Sequence, residues 1–128
     1  MAAPGCVLRV SGVDLNPEDA LQHMSLHAIS IWHKGDIRRK ICTDAGFVVN
    51  VSDRETLSEQ VEEAVQFVTA QRAALKELCS DTTIEDIRLD FGIALRDAVV
   101  QTNIFPRPLV QLAGECGIVL ELSQYSPD

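Results

Sequence analysis

The side chains with the types and spacing to do chemistry form short clusters. In Ser30-Ile31-Trp32-His33-Lys34-Gly35-Asp36 the only tryptophan stands beside a histidine, a lysine and an aspartate. An imidazole oriented by a carboxylate, with an ammonium to hold an anionic substrate, is a start for acid–base catalysis, and His33, Asp36 and Lys34 supply those groups. The same stretch reads as a docking surface, because tryptophan is favoured among interface anchors. The basic run Arg38-Arg39-Lys40 behind it is then a loop tip, either solvated or turned to a carboxylate-rich or phosphorylated ligand.

His23 and His27 have the four-residue spacing that puts two imidazoles on one helix face for a metal. No third ligand follows nearby, so they read as surface or capping histidines. Glu59, Glu62 and Glu63 lie side by side on a helix and could pair carboxylates for acid–base or metal work. A helix face turned to water has the same composition, and that is the expected role. Asp86, Arg88 and Asp90 alternate along a strand, so they share one sheet face and relieve one another's charge, as a recognition strip or as plain surface. There is no Gly-x-Ser-x-Gly elbow, and "GECG" lacks the following helix that phosphate binding uses. No catalytic, cofactor-binding or metal-binding residue is therefore assigned.

The elements that must position these groups follow from periodicity. Cys6–Val13 alternates as a strand, with Cys6, Leu8 and Val10 on one face and Arg9 on the other. Asn16-Pro17-Glu18-Asp19 opens a helix to about Met24, with a capping side chain, proline in the first turn and acids at the positive end. "AISIWHKG" and "GFVVNV" are extended, joined through the charged loop "GDIRRK". Ser52-Asp53-Arg54-Glu55 has the form of a capping box for a long helix reaching about Cys79. Ile87, Leu89, Phe91, Ile93 and Leu95 alternate without a miss. "DAVVQTN" is ambiguous, Pro106–Glu115 is a helix ended by Gly114 or Gly117, and "IVLELSQY" is a last strand. The predicted fold is a single α+β domain over residues 1–128, with its core at about 6–125. An antiparallel sheet carries helices on one face in a ferredoxin-like split β-α-β core, followed by a C-terminal helix and strand. The bare sheet face or an open edge is the natural docking surface.

At 128 residues the chain is long enough to bury roughly two-thirds of its unfolded surface. Its 19 acidic and 11 basic residues give a net charge of −8. That repels nucleic acid and attracts a basic protein partner, unless it serves solubility alone. Cys6, Cys42, Cys79 and Cys116 contain no Cys-x-x-Cys pair, and their even spacing has no repeat behind it. No run approaches the ~18 apolar residues of a membrane helix, and no secretory leader is written at the N-terminus. A cytoplasmic protein with free thiols as core filler is expected.

With these residues in place, the chain resembles a family of small bacterial proteins catalogued as domain of unknown function 4279. The resemblance rests on "LRVSGVDLNPEDA", "WHKGD", "GFVVNV", "TLSEQVEEAV", "IRLDFGIAL" and "PRPLVQLAGECGIVLELSQY", in that order from about Val7 to Tyr125. It implies no activity, cofactor or catalytic residue. By analogy with other small acidic bacterial domains, the expected function is an immunity-type inhibitor that occludes a basic toxin domain, with Trp32, Lys34, Asp36, Glu62, Glu63, Asp86 and Asp90 as contact residues. A small-ligand or regulatory domain, compatible with a homodimer, is the first alternative. An enzyme built on His33 is the second.

Overall fold

The computed structural model describes residues 4–22, 24, 27–96 and 98–126. Its elements in chain order are β1 (Gly5–Gly12), α1 (Pro17–Leu21), β2 (Ser30–Trp32), β3 (Ala45–Ser52), α2 (Leu57–Ala70), α3 (Arg72–Ser80), β4 (Asp86–Ala94), α4 (Arg107–Glu115) and β5 (Val119–Tyr125). The strands form one sheet in the order β2-β3-β1-β4-β5. β1 is antiparallel to both β3 and β4, and β2 is antiparallel to β3. These strands have the order of the split β-α-β core, in which α2 and α3 carry the chain from β3 across β1 to β4. β5 runs parallel to β4, because α4 returns the chain to the end at which β4 began. The sheet as a whole is therefore mixed.

Alternation decides what the sheet buries. Leu8 stands opposite Val49 on one side and Leu89 on the other, and Val10 stands opposite Phe47 and Ile87. All face the helices and are buried. Val61, Ala64 and Val68 of α2, Leu75 and Leu78 of α3, and Leu109 and Ala113 of α4 close the core from above. Each large side chain so buried contributes about 1.5–3 kcal/mol.

Three local expectations are corrected. α1 ends at Leu21, although Asn16 caps it as expected, its side chain accepting the Asp19 N–H at 3.3 Å. The cap of α2 is Thr56, which accepts the Glu59 N–H at 3.3 Å; Ser52 instead donates to Glu63 at 2.6 Å, bracing β3 against α2. The predicted long helix breaks at Gln71, just after Thr69 donates its hydroxyl to the Val65 carbonyl at 2.7 Å. A threonine bonded back one turn bends a helix, and the buried positions continue through the break in the same period, so the sequence pattern does not register it. At the end of α4, Gly117 takes φ +66°, and the Ile118 and Gly117 N–H groups donate to Ala113 and Gly114 at 2.8 and 3.3 Å. That pair of bonds is the Schellman termination, which favours glycine.

Candidate functional site

An open groove of about 1220 Å³ lies beside α2. Leu57, Val61 and Val65 recur every four residues, so one face of α2 forms an apolar wall. Ile93 at the end of β4 and Ile104 supply further apolar lining, with Pro106 and Pro108 at the start of α4. Glu55 and Glu62 stand on the α2 side, whereas Arg96, Gln101 and Asn103 stand on the side of the 95–106 connection. The described residues of that connection form no helix or strand. It is tied down where Leu95 N–H donates to the Tyr125 carbonyl and Arg96 N–H to the Gln101 side chain, both at 2.8 Å. Phe105 packs on Phe91 with ring centroids 5.2 Å apart. Yet Val99, Val100 and Ile104 are 103%, 73% and 71% exposed, and Ile104 lines the groove.

Gln60 is buried on the inner side of α2, where its side-chain amide donates to the Arg54 and Gly92 carbonyls, both at 2.9 Å. It therefore fixes the helix wall of the groove to β4.

The sheet face without helices carries a charge network. Arg88 is bonded to Asp86 at 2.6 and 2.9 Å and to Glu121 at 2.6 Å. Arg9 lies 3.6 Å from Asp90 and 3.8 Å from Glu121, and Ser123 donates to Asp90 at 2.7 Å. Hydrogen bonding to Asp86, reinforced by Glu121, raises the Arg88 pKa. Asp86 and Asp90 thus share a face as expected, but their charge is already answered within the sheet. Two aromatic rings flank this network over glycines. A Cβ on Gly46 would lie 2.5 Å from the Trp32 ring, and one on Gly92 would lie 2.9 Å from the Tyr125 ring. Trp32 is half-buried, and its indole N–H donates to Asp44 at 2.9 Å.

The loop after β2 is closed by its own polar groups. The His33 N–H donates to the Asp36 carboxylate, the Gly35 N–H to the Cys42 carbonyl and the Cys42 N–H to the Asp36 carbonyl, each at 2.8 Å. The His33 imidazole bonds Glu18 of α1 through Nε2 and lies 3.5 Å from Asp36 through Nδ1. The bond to Glu18, opposed by desolvation and reinforced by Asp36, raises the His33 pKa, while the His33 backbone N–H is the main cause lowering that of Asp36. With a carboxylate at each nitrogen, His33 clamps the loop to α1. Lys34 is among the residues lining a smaller hollow, with residues 15–19.

The structure therefore distributes the predicted contact residues over separate places. Trp32, Asp86 and Asp90 lie on the helix-free face, and Lys34 and Asp36 lie in the loop beyond its edge. Glu62 lines the groove, and Glu63, rather than being free in solvent, accepts a hydrogen bond from Ser52 and lies 3.6 Å from Arg54. One flat partner surface cannot cover all of them. The groove residues Ile93, Ile104 and Arg96 and the network residues Arg9 and Glu121 were not among the sequence candidates. The part of the groove legible in the sequence was the apolar face of α2, Leu57, Val61 and Val65, at helical spacing. His23 lies outside the described residues. Of the thiols, which are all free, Cys6 and Cys116 are core filler whose pKa burial raises, whereas Cys79 is exposed.

Fold and groove together define a single-domain α+β protein with a split β-α-β core and an open, apolar-walled, partly acidic groove along its longest helix. No family model, curated protein or solved structure matches the chain, and no helix among the described residues is long and apolar enough to cross a membrane.

Proposed function

We propose that the protein is a small non-catalytic binding protein of the immunity type, which occludes a basic protein partner by seating an apolar anchor of that partner in the α2 groove. The observation that carries this reading is the groove itself, with apolar walls that include the exposed Ile104 and with Glu55 and Glu62 on the α2 side. Its volume of about 1220 Å³ exceeds the roughly 300–1,000 Å³ usual for small-molecule pockets, and its open form suits a macromolecular segment. Net charge of −8 would steer a basic toxin domain toward it, and the apolar contact would set the lifetime of the complex.

The test uses Ile104→Asp and Glu62→Lys, both at exposed positions that leave the core intact. Tagged wild type and variants are co-expressed with candidate basic toxin domains encoded beside this gene, and complex formation is measured by calorimetry. Ile104→Asp should weaken the complex by at least roughly tenfold, the usual effect at an interface anchor, and Glu62→Lys should weaken it chiefly at low salt. A complex indifferent to both variants would remove the groove from the mechanism. A rise in melting temperature with a small metabolite, lost in Ile104→Asp, would replace this reading by a ligand-binding one.

A further inference from the structure

We propose that the protein pairs with a second copy of itself through the free edge of β5, joining the two sheets into one about a two-fold axis at Leu122. β5 is an outermost strand, bonded to β4 on one side only. The Leu95 N–H donates to the Tyr125 carbonyl at 2.8 Å, so the backbone polar groups of Tyr125 face β4. These groups alternate along a strand, and Leu120, Leu122 and Gln124 therefore turn theirs outward. Native edges are normally blunted by lysine, proline, a bulge or shortness. β5 spans 7 residues without lysine or proline, and its register against β4 runs without a bulge. Its one charge, Glu121, is already held by Arg9 and Arg88 on the helix-free face.

The sequence of the strand selects the occupant. In an antiparallel pair the outward-turned residues must stand opposite one another. Centring the two-fold axis on Leu122 meets that condition and pairs the whole strand. Leu120 then faces Gln124 of the second copy, Glu121 faces Ser123, and Val119 faces Tyr125. No like charges meet, and Val119, 49% exposed in the single chain, gains an aromatic neighbour. Sliding by one pairing step in one direction sets Glu121 against Glu121, which is destabilising; sliding the other way leaves Val119 without a strand partner. Leu120, Leu122 and Gln124 each donate once on each of the two strands, which makes six new backbone hydrogen bonds. No β5 residue lines the α2 groove, so this pairing stands or falls separately from the proposed function.

Sedimentation equilibrium at roughly 100 µM, above the dissociation constant of most specific dimers, should give twice the chain mass of 14.0 kDa. Gln124→Pro removes an outward N–H from an exposed position, which an edge strand tolerates, and should return the mass to 14.0 kDa with cooperative unfolding retained. In parallel, amide exchange of wild type at about 100 µM should be at least roughly tenfold slower than at about 1 µM for Leu120, Leu122 and Gln124, and unchanged for Glu121 and Ser123. This second measurement decides the matter if Gln124→Pro does not fold. A single-chain mass at all concentrations would overturn the proposal. So would a dimer that a folded Gln124→Pro leaves intact, or one in which those amides exchange at the same rate at both concentrations.

Discussion

The pair His33 and Asp36 shows how residue chemistry can be spent on structure. A histidine whose pKa is raised on folding contributes stability that is complete below its ordinary value of 6.5 and is lost as pH rises through the raised value. An aspartate whose pKa is lowered contributes above its ordinary 3.8 and loses that contribution as pH falls through the lowered value. The loop should accordingly be held most firmly between pH 3.8 and 6.5. An NMR titration of His33 should give a pKa above 6.5 that Glu18→Gln brings down; a wild-type value at or below 6.5 would contradict the clamp. Gly46 is the other residue whose role is local. A Cβ there would lie 2.3 Å from the Val10 carbonyl oxygen as well as against the Trp32 ring. Gly46→Ala should therefore cost about 1–3 kcal/mol, as overpacking does, with a shifted tryptophan emission as its spectroscopic sign.

Among the elements, α2 forms one wall of the candidate site, and its start is the feature that sequence reading misplaced. Two Ser/Thr-x-x-Glu patterns lie four residues apart, Ser52 to Glu55 and Thr56 to Glu59, and either could cap a helix. β3 continues through Ser52, which removes the first from contention and leaves its hydroxyl for Glu63. Thr56→Ala should cost about 0.5–2 kcal/mol in chemical denaturation, the usual loss of a cap. Glu55→Ala, at an exposed residue in neither the cap nor the brace, should leave stability within about 0.5 kcal/mol. Equal losses in both variants would restore the earlier start. The strands were legible because burial on one sheet face forces a period of two, so Leu8, Val10, Phe47, Val49, Leu89 and Phe91 all lie where alternation puts them. The break at Gln71 was not legible, because Leu75 and Leu78 reach the core in the same period on either side of it.

For the whole molecule, net charge of −8 acts at longer range than any single contact. If a basic partner is steered by it, the association rate should fall by about tenfold or more between low salt and 0.5 M salt, where screening shortens the reach of exposed charges to a few ångströms. Dissociation, governed by the apolar groove contact, should change much less. Stopped-flow measurement separates the two rates, and a salt-independent association rate would mean that the acidity serves solubility.

Sequence alone determined the α+β class, the order of strands and helices, the inward faces of β1, β3 and β4 and the pairing of Asp86 with Arg88. All of these follow from local periodicity and nearest-neighbour chemistry. Tertiary structure alone decided that β5 lies parallel beside β4, that Glu63 braces β3, that Glu121 and Arg9 complete the charge network, and that α2 and the 95–106 connection enclose a groove. Each of these joins residues far apart in the chain, and a repeat of two or of 3.6 residues carries no record of which distant segment an element will meet.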